Sequence, residues 1–185
     1  MALPLHIRPM AVAGWLLGIL LLAATGAAAL AGFARHVYDP VIDEWARARQ
    51  VDPLLVRALI WRESRFHRAR LGSRGEAGLM QVTEQAARDW ADALGHAPPF
   101  RADLLQPELN IRVGTWYLGR ALRHWRAKSN PLPYALAEYN AGRAAAQRWA
   151  AGDRGDPNAF WHAIGYPGTR RYVQAVLTRY RRLGR

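Results

Sequence analysis

Apolar side chains recur at three- and four-residue spacing along most of the chain, and no stretch alternates apolar with polar residues long enough to predict a strand. The pattern predicts a short helix over residues 40–50, a second over 52–66, a third from Thr83 to Leu94 and a long one over 107–126, where Leu109, Val113, Trp116, Tyr117, Ala121 and Trp125 share a side. Shorter helices follow over 133–140, closed by Asn140-Ala141-Gly142, over 143–151, and from Asp156-Pro157 to Ile164. Thr169 is read as the cap of a last helix lined by Tyr172, Val173, Val176, Leu177 and Tyr180. Residues 67–80, with Gly72, Gly75 and Gly78, and residues 96–100, with Pro98-Pro99, break the periodicity. Seven or eight helices without repeat or linker predict a single all-α domain, so any chemistry belongs in a cleft between helices.

One residue interrupts the second helix's apolar stripe. Asp52-Pro53 is a start signal, and Leu55, Val56, Leu59 and Ile60 then define a face on which Glu63 also falls. A carboxyl on a core-facing stripe is desolvated, which favours its protonated form and suits a general acid. The alternative is an ion pair with Arg62, Arg65 or another arginine at the edge of the core.

The first thirty-odd residues follow a different pattern. Residues 10–34 carry no charged side chain, His6 and Arg8 precede them, and a run from Gly14 to Leu22 is followed by small residues with A-x-A sites. Residues 1–32 therefore read as an export signal, either cleaved or kept as an inner-membrane anchor, with the working domain over 33–185 outside the cytoplasm. The formal net charge of +12, with Lys128 as the one lysine, predicts either attraction to a polyanion or a solvated arginine-rich surface; export argues against nucleic acid. Without cysteine there is no disulfide, thiolate chemistry or lipoprotein anchor, and six scattered histidines form no metal motif, so neither metal nor cofactor is expected.

Two further stretches carry polar side chains that suit a sugar. In 72-GSRGEAGLMQ-81 the glycines permit close backbone approach, no phosphate-loop lysine follows, and Met80 with Gln81 can cover a sugar face and hydrogen-bond its acetamido group. The duller reading has Met80 in the core and Gln81 exposed. In 137-AEYNAG-142, Tyr139 and Asn140 stand at a helix end as cleft donors or, for Asn140, a local cap, and Glu138 adds a second carboxylate of unknown direction.

In order, DPLLVRALIWRESRF, GEAGLMQV, ELNIRVGTWYLGRAL, ALAEYNAG and GTRRYVQAVLTRY resemble the SLT-type lytic transglycosylase family, whose domain is similar to goose-type lysozyme. The resemblance runs from about Pro40 to Tyr180 and implies a compact lysozyme-like helical domain with a glycan cleft. It implies cleavage of the β-1,4 bond between N-acetylmuramic acid and N-acetylglucosamine in peptidoglycan, giving 1,6-anhydromuramic ends. Glu63 then matches the acid/base glutamate of the family's E-S pair, with Ser64, Gly78, Met80, Gln81, Tyr139, Asn140 and Tyr172 as substrate-binding positions and Glu138 as an auxiliary. A family glutamate before the last helix's threonine-arginine is replaced by Gly168; Gly72-Ser73 and Val82-Thr83 are further departures. The expected partner is the glycan strand, in remodelling or beside secretion, pilus or conjugation machinery. A hydrolytic muramidase and a catalytically silent glycan-binding component are the alternatives.

Overall fold

The computed structural model describes residues 36–153 and 156–185 together with Leu22 and Thr25. The expected signal or anchor segment therefore lies almost wholly outside the described residues. Residues to Asp39 form one unit and Pro40–Arg185 another, and the description below concerns the second. No helix among the described residues is long and apolar enough to cross a membrane.

The body is helical: α1 is Asp39–Ala48, α2 Pro53–Ser64, α3 Glu84–Leu94, α4 Pro107–His124, α5 Leu132–Ala141, α6 Arg143–Ala150, α7 Pro157–Ala163 and α8 Pro167–Leu183, with a 3₁₀ turn at Asp103–Leu105. Helix α5 sits centrally, packed on α4, α6 and α8, while α8 lies along α2 and α3 along α4. The helical class read from periodicity is what the chain adopts.

Local chemistry sets the helix ends. Asp52 accepts a hydrogen bond from the Leu54 N–H at 2.8 Å with Pro53 next to it, so α2 starts where the sequence indicates. The same carboxylate accepts from the Tyr180 hydroxyl at 2.6 Å, which ties the start of α2 to the far end of α8. Thr83 caps α3 through the Ala86 N–H, and Asp156 caps α7 through the Asn158 N–H. Helix α2 stops at Ser64, two residues short of the expected end, because Arg65 and Phe66 take left-handed backbone at φ 55° and 65°. The start of α8 also differs from expectation. Pro167 takes the first helical position, so Thr169 lies inside the first turn instead of capping it, and its hydroxyl donates to Asn140 Oδ1 at 2.7 Å.

The residue 67–82 loop is held by α4. Asn110, fully buried, accepts from the Met80 N–H at 2.7 Å and donates to the carbonyls of Ala77 at 2.8 Å and Leu104 at 2.7 Å. Isolated antiparallel bridges pair Ala77 with Leu71 and with Val82. Gly78 is obligatory in this clamp: its φ is +77°, and a Cβ there would lie 2.3 Å from Asn110 Nδ2. Gly114 makes room for Met80, whose Sδ would lie 2.6 Å from a Cβ at that position.

A second buried cluster fixes α5. Tyr134 stacks on Phe160 with ring centroids 3.8 Å apart, and its hydroxyl donates to Asp153 at 2.6 Å. Lys128 closes on the same carboxylate at 2.8 Å. Burial and the Asp153 charge push the Tyr134 hydroxyl far above its ordinary range, so it stays a donor.

The Asn110 clamp makes a prediction. Asn110→Ala leaves the Met80 N–H and the Leu104 carbonyl without their side-chain partner, while the Ala77 carbonyl keeps the Val82 N–H at 3.0 Å, and should cost about 2–3 kcal/mol, read as a lowered midpoint in denaturant unfolding. Asn110→Asp, which sets a buried carboxyl oxygen against the Ala77 and Leu104 carbonyls, should cost at least as much.

Candidate active site

Helices α2, α5 and α8 meet the glycine loop around a cleft of about 790 Å³. Glu63, in the last turn of α2, lines it together with Gln81 from the loop, Tyr139 and Asn140 from α5, and Tyr172 from α8. Five of the residues singled out by sequence thus converge, from segments as far apart as the 109 residues between Glu63 and Tyr172.

The Glu63 side chain receives one short hydrogen bond, from the Tyr172 hydroxyl to Oε1 at 2.6 Å. Desolvation by the surrounding helices raises its pKa from 4.5 to about 7, against the Tyr172 hydrogen bond and the charges of Arg62 and Arg70, which favour the ionised form; the negative charge of Glu76 adds to the rise. A carboxyl with this affinity can hold a proton near neutrality, give it up and take it back. Burial first, and then the Glu63 charge, keep Tyr172 and Tyr139 protonated far beyond the working range. The Tyr139 hydroxyl donates to the Met80 carbonyl at 2.9 Å, and its ring packs edge-on to Tyr117 at 5.8 Å. Tyr139 thereby braces the loop against α5.

The other sequence-derived positions sit differently. Ser64 is buried and its hydroxyl returns to the Ile60 carbonyl at 3.2 Å, a bond within α2. Met80 is fully buried under the cleft: Thr115 Oγ1 donates to its Sδ at 3.7 Å, so its thioether supports the loop while its carbonyl meets Tyr139. Gly78 belongs to the Asn110 clamp, not to the cleft lining. Glu138 is completely buried and faces away, accepting from Trp125 Nε1 at 2.8 Å and Arg143 Nε at 3.0 Å. With both oxygens committed to that pair, it offers no carboxylate to a ligand in the cleft. Asn140 serves as acceptor for Thr169 and lines the cleft as well, joining its two readings. Gly168 lines the cleft beside it, where no side chain projects.

The structure adds cleft residues that the sequence did not mark as site positions. Arg62, Arg70, Arg74, Glu76, Tyr117 and Tyr166 also line the cleft. Glu76 is its second carboxylate. One oxygen accepts from the Arg74 N–H at 2.9 Å and the other from Arg74 Nε at 3.1 Å. Its partial burial raises its pKa, but those N–H groups and the Arg74 charge outweigh this and hold it below the ordinary value, hence ionised. Gly72 provides the space: a Cβ there would lie 2.3 Å from Glu76 Oε2. In sequence the clue was a carboxylate alone among glycines, five residues before Gln81. Among the described residues there is no group of three or more histidines and carboxylates able to hold a metal ion.

An all-helical body whose cleft presents a protonatable glutamate beside a buried tyrosine, Tyr172, and a half-buried one, Tyr139, defines a lysozyme-like class of protein. The Transglycosylase SLT domain profile matches residues 40–160, and the chain belongs to that family. It is 29% identical over 144 residues to the soluble lytic murein transglycosylase of Salmonella typhimurium, covering 76% of this chain and 22% of that protein. It is 31% identical over 125 residues to membrane-bound lytic murein transglycosylase C of Pectobacterium atrosepticum, covering 64% of this chain and 35% of that one. The structure superimposes on the 70 kDa soluble lytic transglycosylase of Escherichia coli with a TM-score of 0.69 at 27% identity, over 80% of this chain and 24% of that one. A complex of the 70-kDa soluble lytic transglycosylase with bulgecin A superimposes with a TM-score of 0.72 at 26% identity, over 80% of this chain and 24% of that one. The chain thus spans about a quarter of the length of several relatives it matches.

The electrostatics of Glu63 give two predictions of opposite sign at one atom. Followed by NMR, the Glu63 carboxyl should titrate at lower pH in Glu76→Gln, which removes a repelling charge, and at higher pH in Tyr172→Phe, which removes the donor to the ionised form. A stability consequence follows from linkage. The folded-state pKa of about 7 exceeds the ordinary 4.5, so stability present below pH 4.5 is lost as pH rises through 7. Glu63→Gln, neutral throughout, should match the parent at pH 4 and exceed it by on the order of 1–2 kcal/mol at pH 8 in thermal or denaturant unfolding.

Proposed function

We propose that the protein is a lytic transglycosylase of peptidoglycan, cleaving the β-1,4 bond between N-acetylmuramic acid and N-acetylglucosamine and leaving 1,6-anhydromuramic ends. The observation that carries this reading is Glu63: a desolvated carboxyl with pKa about 7, hydrogen-bonded by Tyr172 and set in the cleft of an SLT-family domain. Relatives with this domain bear the name lytic murein transglycosylase.

The chemistry divides into two steps at the anomeric carbon. Protonated Glu63 gives its proton to the glycosidic oxygen as the C1–O bond breaks, and the acetamido oxygen of the same muramic sugar closes on C1 as internal nucleophile. Glu63, now ionised, takes the proton from the muramic 6-hydroxyl, whose oxygen attacks C1 and reopens the acetamido ring. Both steps use one carboxyl in alternating protonation states, which a pKa near neutrality allows. Holding the attacking hydroxyl in the substrate itself supplies a high effective concentration without a positioned water. Tyr172 fixes the Glu63 carboxyl, and Gln81 and Asn140 present polar atoms on the cleft wall for the sugar.

A second reading, hydrolysis, draws support from Glu76, because a second cleft carboxylate could serve as base for water. Its hydrogen bonds from Arg74 and its lowered pKa make it a weak base, which favours the intramolecular route. In the proposed role, the apolar segment of residues 1–32 exports the domain to the peptidoglycan, as cleaved signal or inner-membrane anchor. Local wall remodelling, including beside secretion, pilus or conjugation machinery, is the cellular setting that fits.

The deciding measurement is mass spectrometry of digested peptidoglycan. Anhydro ends, lighter by one water than reducing ends, are expected from the parent protein, and Glu63→Gln should fold while losing at least a thousandfold in rate. Products with only reducing ends would establish the hydrolase, and an undiminished Glu63→Gln rate would remove Glu63 from the chemistry.

A further inference from the structure

A second concave feature lies across α2 from the cleft. This groove of about 380 Å³ follows the α2–α8 pair and is lined by Trp61 from α2 and by Arg171, Ala175, Thr178, Arg179 and Arg182 from α8. Trp61 and Glu63 stand two positions apart, about 200° around the helix axis, so groove and cleft open on opposite sides of α2. They share no lining residue, and none of the chemistry described above uses the groove.

Its floor is aromatic and its rim cationic. The half-buried Trp61 indole carries two guanidinium groups, with the Arg65 guanidinium carbon 3.6 Å and that of Arg179 4.9 Å from the ring centroid. Arg171 and Arg182 are exposed, and their spacing puts them on one face of α8. That helix carries five arginines and no acidic residue. Among the described residues no carboxylate lines the groove, and Arg65, Arg171 and Arg182 form no ion pair. Like charges gathered in this way repel one another unless an anion answers them.

The position of the groove points to the anion. Arg57, Trp61 and Arg65 recur at four-residue spacing along α2 and its cap, and Arg57 Nη2 donates to Asp43 on α1 at 2.7 Å, so this face leads back to the start of the domain. The uncharged run of residues 10–34, read above as export signal or membrane anchor, is separated from Asp39 at the start of α1 by residues 35–38 alone. A stretch of that length spans at most ~14 Å, so in the anchored form a lipid surface is within reach of the domain. The run itself has no Asp or Glu to offer the arginines.

We propose that the groove seats the phosphate headgroups of anionic phospholipid, so that the domain rests on a membrane by its α2–α8 face with the cleft turned outward. Guanidinium groups pair with phosphate oxygens through paired N–H donors. An indole flanked by long arginine stems suits the boundary between headgroups and acyl chains. The inference stands apart from the peptidoglycan reading, because it concerns where the domain rests and not what the cleft cuts.

The test uses the full chain on vesicles of phosphatidylcholine, alone or mixed with phosphatidylglycerol. The sequence has no cysteine, so Thr178→Cys places a single spin label in the groove and Ser73→Cys one at the cleft. Collision of each label with a water-soluble nickel chelate is measured. On the anionic vesicles the label at position 178 should lose collisions at least about threefold, an effect that shrinks as salt rises, while the label at position 73 keeps them. Neutral vesicles should protect neither. Arg171→Gln combined with Arg182→Gln should remove most of the protection, and the corresponding lysine pair should keep part of it. Protection on phosphatidylcholine alone, equal protection of both labels, or exposure of position 178 throughout overturns the headgroup site. Stronger protection of position 178 by soluble polyglutamate than by anionic vesicles assigns the groove to an acidic polypeptide and equally overturns it.

Discussion

The cleft depends on one buried amide. Asn110 on α4 uses its side-chain oxygen and both amide hydrogens on backbone groups of the segment that wraps it, the Met80 N–H and the Ala77 and Leu104 carbonyls. A loop with few apolar side chains of its own cannot pack itself into one shape, and unpaired backbone groups in the interior are costly. By satisfying three at once, Asn110 turns a glycine-rich connection into a fixed wall. From that wall come Gln81, the Met80 carbonyl that braces Tyr139, and the Arg74–Glu76 pair. Gly78 and Gly114 belong to the same device, since a methyl group at either position would collide with Asn110 or Met80.

On this scaffold two carboxyl groups in one cleft are driven to opposite states. Glu63 has helices around it and one short donor, and burial wins over the nearby arginines. Glu76 has a guanidinium and backbone N–H groups, and these win over burial. Environment, not residue type, thus separates a proton carrier from a permanent anion. The third acid of the region, Glu138, is spent on structure, joining the end of α4 to the start of α6 through Trp125 and Arg143.

Much of this was legible in the chain. Helix starts announced by Asp52-Pro53, Thr83 and Asp156-Pro157 stand where those residues put them, because capping is a local interaction. The position of Glu63 on an apolar stripe was likewise local, and its surroundings followed from the helix packing. What periodicity could not reveal was tertiary. Thr169 read as a cap because threonine caps helices, yet Pro167 had already begun α8 and left its hydroxyl for Asn140. Met80 and Ser64 carry family motif positions, but their burial is decided by α4 and by the helix's own backbone. Glu138 and Glu76 are chemically alike in sequence. Only the fold shows that one is locked inside and the other faces the cleft.

The pairing of α2 with α8 has a consequence for the chemistry of Glu63. Tyr180 closes on Asp52 across 128 residues, and Tyr172 on Glu63 across 109. Such non-local contacts carry a loop-closure cost that local helical contacts do not. Until α8 docks, α2 lacks one wall of its burial, and Glu63 is an ordinary surface carboxylate with no reason to hold a proton near neutrality. The raised proton affinity of Glu63 is therefore a property of the packed fold and not of the α2 sequence by itself.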